Sequence, residues 1–258
     1  RDLKYWAHLN SVDGTMHYGA SIVKLTGMMW EESLMYRLRS DINAYQALDS
    51  IHMHPTYRAE LKDKYEKEIR SIIYALNVAL DKALIKEGIV NKSAAIKLRA
   101  TQYASDIHGL KVGDHISMPG GWLQHAVYFS FERVNKAVRG EGTKGFIRIG
   151  YSNRGMGLDS LNQTSSGKCS KYSFEVPVEI FEAGRVGHQF VEELFDLYVT
   201  GYSVDGRPST SAAMGRFLGG VVSNFIEKVN TQTGIATPIS KSYPQVIQRV
   251  GNCAVSNL

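Results

Sequence analysis

The sequence predicts an α+β fold, a central and mostly antiparallel sheet with packed helices, preceded by a mainly helical subdomain. Three observations predict it. Up to residue 109 large apolar residues recur at spacings of three and four, the period of an amphipathic helix. After Gly109 the texture changes to short β-branched and aromatic runs separated by glycine, the pattern of strands and turns. At 258 residues, 43% hydrophobic and 21% charged, the chain can bury one sizeable core beside a helical attachment. The division falls at 1–109 and 110–258.

The elements follow in order. Trp30, Leu34, Leu38 and Ile42 at four-residue steps predict a helix from Met28 to Leu48. From Pro55 a longer one runs through Leu61, Tyr65, Ile69, Ile72 and Ile73, Leu76, Leu80 and Leu84, until Gly88 stops it. A third starts near Asn91, whose side chain suits an N-cap, and ends before Gly109. Strands are predicted at Asp114 to Met118, Trp122 to Val134, Phe146 to Ser152 and Tyr172 to Ile180. A helix returns at Val186 to Val199, and another across Ala212 to Val229, where Gly215, Gly219 and Gly220 weaken the propensity.

Composition narrows the function classes. The net charge of +5 comes from basic residues scattered along the chain, so nucleic acid is not indicated as a partner. No run of about 18 uncharged apolar residues is present, and a membrane span is not expected. Two cysteines, Cys169 and Cys253, cannot build a disulfide framework or a CxxC metal site, which suits a reducing, cytoplasmic type of compartment. Beginning at Arg1 and stopping five residues after Cys253, the chain reads as a piece of a longer protein, truncated at its C-terminus. The stretch GEGTKG at 140–145 satisfies GxGxxG formally, but a strand follows where the dinucleotide fingerprint needs a helix, so it reads as a hairpin loop. His52 and His54 alternate as strand neighbours would and could share a metal, but two histidines do not by themselves complete a metal site. No cofactor is expected.

The informative stretches are MPGGWLQHAVYFSFERV and KGFIRIGYSNRGMG. Alternation puts His125, Val127, Phe129 and Phe131 on one face of the first strand, and Ile147, Ile149, Tyr151 and Asn153 on one face of the second. A hairpin symmetric about residue 139 opposes Phe131 to Ile147, Phe129 to Ile149, Val127 to Tyr151 and His125 to Asn153. An Asn oxygen beside the imidazole can accept its Nδ1 hydrogen and leave Nε2 free to take a proton. Cys253 supplies a nucleophile once it is a thiolate, a form that a neighbouring imidazolium or a helix N-terminus favours. Gly251 and Asn252 can turn the chain to present it, and Gln248 can add a side-chain N–H to an oxyanion hole. Asp159 competes with Asn153, and Gln245 with Gln248. Cys169, in NQTSSGKCSK, lacks such neighbours and reads as incidental, and Trp122 reads as a groove wall or a core residue.

The order His, Asn, Gln, Cys resembles the papain-like thiol enzymes of permuted topology: ubiquitin-like-protein proteases, the adenovirus-type protease and Yop-type acyltransferases. More narrowly, GGWLQHAVYF, YSNRGMG and QRVGNC resemble cysteine-protease-like domains of effectors from intracellular bacterial pathogens. The resemblance covers roughly residues 110–258. It implies a papain-like catalytic domain in which His125 is the general base, Asn153 its orienting partner, Gln248 the oxyanion-hole donor and Cys253 the nucleophile. It further implies a protein substrate, either a host protein or a ubiquitin-like conjugate, and delivery by a bacterium into the host cytosol. The third member here is Asn where the ubiquitin-like-protein proteases usually have Asp. An acyltransferase or transglutaminase would use the same site, and a non-catalytic effector domain that binds a host protein would keep the scaffold without the chemistry.

Overall fold

The computed structural model describes residues 26–88, 91–122, 125–138, 140, 142–152, 171–201, 203–204, 207–208, 216–234 and 240–241. The fold is α+β. Among the described residues three helices come first: α1 (Thr26–Ala47), α2 (Pro55–Lys86) and α3 (Lys92–His108). Strands β1 (His115–Trp122), β2 (His125–Val138), β3 (Gly142–Ser152) and β4 (Lys171–Pro177) follow, then a 3-10 turn at Val178–Phe181 and helix α4 (Val186–Thr200). The two-residue strands β5 (Ser203–Val204) and β6 (Arg207–Pro208) pair with each other. A π-helix at Arg216–Ser223 runs into α5 (Asn224–Thr233), and β7 (Ser240–Lys241) completes the main sheet. That sheet is antiparallel throughout, in the order β1-β2-β3-β4-β7.

Local signals explain where the helices begin and end. Pro55 opens α2, where its fixed φ suits the first turn and its missing N–H would have had no partner. Gly88, at φ 74°, ends the run. Asn91 caps α3 as its sequence position predicts, its Oδ1 accepting from the Ala94 N–H at 3.2 Å. The glycine-weakened stretch before α5 does not form a plain α-helix. Residues 216–223 wind as a π-helix instead, and regular α-geometry begins only at Asn224.

Three sequence expectations change. The strand predicted from Trp122 to Val134 is divided: Trp122 ends β1 and pairs with His125, the first residue of β2. Pro119 sits inside β1 because β1 is an edge strand, where proline's missing N–H can face away from the ladder. The β2–β3 register is shifted by two residues from the predicted one. Phe131 lies across from Ile149 and Phe129 across from Tyr151, with Tyr128 opposite Ser152. An even shift keeps every side chain on its own face, so apolar patterning cannot choose between the two registers. The loop chooses: Gly140 and Gly142, at φ 81° and 76°, close a connection of three residues between Val138 and Gly142. Finally, α2 buries a different stripe from its largest apolar residues. Ile72, Ala75, Val78, Ala79 and Ile85 are buried, whereas Ile73 and Leu80 are 44% and 57% exposed. The alanines let neighbouring elements approach the helix closely, which larger residues on that face would prevent.

One core joins the inner face of the sheet to α2, α3, α4, the π-helix and α5. Phe129 lies at its centre, its ring 5.1 Å from Tyr151, 6.1 Å from Phe190 and 6.0 Å from Phe217. A smaller cluster of Leu34, Ile72, Ala75 and Ala79 holds the α1–α2 hairpin together and packs on Tyr128, which lies on the other face of the sheet. Further along that face Glu132, Arg148, Glu175 and Lys136 form an ion-pair ladder across β2, β3 and β4. Partly exposed pairs of this kind contribute little each, about 0.2–1 kcal/mol.

Candidate functional site

His125 opens β2, and Ser152, the residue before Asn153, closes β3. Both lie at one end of the sheet, because the strands are antiparallel and Tyr128, three residues into β2 from His125, pairs with Ser152. Trp122 at the end of β1 and Lys171 at the start of β4 belong to the same end, paired with His125 and Ser152 respectively. The π-helix backs it, with Phe217 6.0 Å from Phe129 and 6.2 Å from Tyr151 by ring centroids. π-Helical turns are rare and occur often at functional sites.

The structure treats the candidate residues unequally. His125 is described as a backbone position in β2. Asn153, Asp159, Gln245, Gln248, Cys253 and Cys169 lie outside the described residues. The direct His125–Asn153 opposition required Phe129 to face Ile149; since Phe129 faces Tyr151, the register that motivated that pairing is not the one formed. His52 and His54 are exposed, His54 being the N-cap of α2. Among the described residues no group of three His, Cys, Asp or Glu side chains could hold a metal ion. Nor is any helix among them long and apolar enough to cross a membrane. Gly140 of GEGTKG belongs to the β2–β3 connection, and Gly142 opens β3, which runs on through Gly145.

A second polar grouping, which the sequence did not reveal, lies where the helical hairpin meets the sheet. Ser71 Oγ of α2 donates to Ser117 Oγ of β1 at 2.7 Å, and the Tyr128 hydroxyl of β2 hydrogen-bonds with both. Burial raises the Tyr128 phenol above its ordinary value. Beside them Glu68 takes an ion pair from Arg37 at 3.1 Å and faces His115 Nε2 at 3.8 Å. His115, helped by Arg37, holds the Glu68 carboxyl below the usual carboxylate range. Asp41, also on α1, is shifted upward by burial despite Arg37. Glu68, His115 and Ser117 have the residue types of an acid, a base and a nucleophile. They do not make an active site: Ser117 is 3% exposed, and its hydroxyl is engaged by Ser71, which is 1% exposed. Alternation along HISMPGG assigns His115 and Ser117 to the polar face of β1, and only the arrival of α2 turns that face inward.

Between α2 and α3 the same pairing of tyrosine with carboxylate occurs twice, Tyr74 donating to Asp106 at 2.9 Å and Tyr103 to Asp81. Burial raises both phenols, so they act as neutral donors that fasten one helix to the other. No protein-family model, curated protein or solved structure matches the chain.

Proposed function

We propose that the chain is a thiol-dependent acyl-transfer domain of papain-like type that cleaves a peptide or isopeptide bond in a protein substrate. The observation that carries the reading is the shared sheet end: β2 begins at His125, and β3 stops at the residue before Asn153. A base opening β2, and an Asn that follows Ser152 in the sequence, fit the order His, Asn, Gln, Cys along the chain. In this reading His125 takes the Cys253 proton and the thiolate attacks the substrate carbonyl. The Gln248 amide and a backbone N–H hold the oxyanion, and His125 then protonates the leaving amine. Water resolves the thioester in a hydrolase; an amine or hydroxyl acceptor resolves it in a transferase. Asp159 and Gln245 remain the alternates for Asn153 and Gln248.

The test is thiol reactivity. At mildly acidic pH iodoacetamide should label Cys253 ahead of Cys169, and His125→Ala should abolish the preference, because only an imidazole-paired thiol keeps thiolate character there. Equal labelling of the two cysteines in the unaltered protein refutes the reading. A second reading, a non-catalytic domain that binds a host protein, has on its side the large apolar side chains that the helical hairpin leaves exposed, Met35 at 54%, Ile73 at 44% and Leu80 at 57%. Electrophilic ubiquitin-like probes separate the two: covalent capture through Cys253 is expected of the enzyme and not of the binding domain.

A further inference from the structure

The two helices of the hairpin are attached by different means. α2 is fixed to β1 by the buried hydroxyls of Ser71 and Ser117, groups that carry no charge. Among the described residues α1 packs chiefly on α2, through the small cluster of Leu34, Ile72, Ala75 and Ala79, with the Tyr128 ring beside it. Polar contacts along that seam supplement so small an apolar contact. Two lie at its C-terminal end, where Tyr45 donates to Glu66 at 2.9 Å and Asp49 pairs with Lys62 at 2.6 Å.

The third contact is contested. Arg37 reaches from α1 to Glu68 of α2 at 3.1 Å, and the same Glu68 oxygen lies 3.8 Å from His115 Nε2 of β1. Asp41, one turn along α1, competes for the same guanidinium, but its Oδ2 stays 3.8 Å from Arg37 Nε, beyond hydrogen-bond reach. That oxygen is shut off from water, and among the described residues it has no hydrogen-bond partner. Ionised Asp41 also faces the Glu68 carboxylate, so two negative charges share one guanidinium in a partly buried seam. Lys64, also on α2, acts on Glu68; Tyr128, from β2, is a neutral phenol; Glu132, across from His115 on β2, is paired with Arg148. A proton on Asp41 removes the conflict and supplies an O–H donor.

We propose that Arg37, Asp41, Glu68 and His115 form an acid-tightened latch: ionised Asp41 weakens the hold of α1 on α2, a proton on Asp41 closes it, and Ile72, Ala75, Ala79 and the Tyr128 ring are the strip that it conceals. The charge environment agrees in sign. Burial, opposed by Arg37 and assisted by Glu68, raises the Asp41 carboxyl above its ordinary value, whereas His115 and Arg37 hold Glu68 below its own. A raised carboxyl stabilises the docked helix while protonated, and that contribution is lost as pH rises through its docked value. Glu68 contributes while ionised and loses its part only as pH falls through a value below 4.5. Docking of α1 therefore strengthens from neutral pH downward until Glu68 itself takes a proton. The latch is independent of the thiol-enzyme reading.

The experiment is amide hydrogen exchange of the whole chain, read by mass spectrometry between pH 7 and pH 4.5 and corrected for the intrinsic pH dependence of exchange. In the unaltered protein the protection of α1 should rise, relative to that of α3, as pH falls. Asp41→Asn should raise α1 protection at pH 7 about fivefold, the lower end of what relieving an unsatisfied buried group gives, and should abolish the pH dependence. Asp49→Asn also removes a carboxylate, but one that Lys62 holds ionised, so it should lower α1 protection instead. If Asp41→Asn does not fold, Asp41→Ala serves the same comparison. An α1 profile that is flat or falls with acid overturns the latch, as does unchanged protection at pH 7 in the folded Asp41 variants. A pH dependence that survives in those variants overturns it too, because another group, such as His115, would then carry it. Strengthening of α1 by Asp49→Asn would show that loss of any negative charge suffices, and overturns the role of Asp41.

Discussion

Removing the Ser117 hydroxyl tests whether the helix–sheet junction is held by bonds or only by packing. Ser117 Oγ accepts from Ser71 at 2.7 Å, and Ser71 is 1% exposed, so Ser117→Ala takes that acceptor from a buried donor and leaves it the Tyr128 hydroxyl alone. An unsatisfied buried hydroxyl costs about 1–3 kcal/mol, whereas removing both partners of a bond costs far less than twice that. Ser117→Ala and Ser71→Ala should thus each destabilise by about 0.5–3 kcal/mol, between the loss of one hydrogen bond and a hydroxyl left unsatisfied. The double variant should fall short of the sum by at least about 0.5 kcal/mol, the lower end of coupling between residues in contact. Urea unfolding of the four proteins, followed by far-ultraviolet circular dichroism, measures the cycle. Additivity within about 0.3 kcal/mol, the behaviour of independent sites, refutes the coupling.

Other expectations follow from the same physics. A Cβ on Gly187 would lie 2.7 Å from the Ile180 carbonyl oxygen and 2.8 Å from the buried Phe181 ring, neither of which can move cheaply; Gly187→Ala should cost about 1–3 kcal/mol in thermal or urea melts. A Cβ on Gly150 would meet only the Ser130 hydroxyl at 2.4 Å, which a rotamer change relieves, so Gly150→Ala should be the milder of the two, and the reverse ranking would contradict the packing. His115→Gln should raise the Glu68 pKa, measured by carboxyl-carbon NMR titration, because His115 is the main cause of its depression. A depressed carboxylate stabilises the fold above its unfolded value, 4.5 here, and that contribution disappears as pH falls through the folded value. The acid limb of the His115→Gln unfolding profile should therefore begin at higher pH, with the two proteins converging once Glu68 is protonated in both.

The elements legible in the sequence are those set by neighbours along the chain. Pro55, Gly88, Asn91 and Gly109 mark helix ends through single-residue backbone preferences, and the structure places boundaries at or beside each. Alternation in HAVYFSF and GFIRIGY identified the inward faces, and Phe129, Phe131, Ile147 and Ile149 are fully buried. The same alternation put His125 on that face inside one strand from Trp122 to Val134, whereas it opens β2. The division between β1 and β2 was not legible, because the stretch from Trp122 to Val134 has the composition of one continuous strand and Trp122 and His125, which pair, stand only three positions apart.

Which strand residues face each other, and which stripe of α2 is buried, depend on partners far away in sequence. Apolar period alone permits the predicted register and the observed one, two residues apart; a three-residue connection containing Gly140 and closed by Gly142, both at positive φ, selects between them. Ile73 and Leu80 are as apolar as Ile72 and Val78, but only the second pair meets α1, α3 and the sheet, so burial was decided by what packs on the helix rather than by the helix itself. Ser71 and Ser117 stand 46 residues apart, each an unremarkable polar position in its own element. The sequence by itself determined an α+β chain, its helix ends, its inward faces and the thiol-enzyme candidates. Only the tertiary structure decided the register, the face of α2 that is covered and the hydroxyl cluster beneath β2, because each requires two surfaces to meet and local preference describes only one of them.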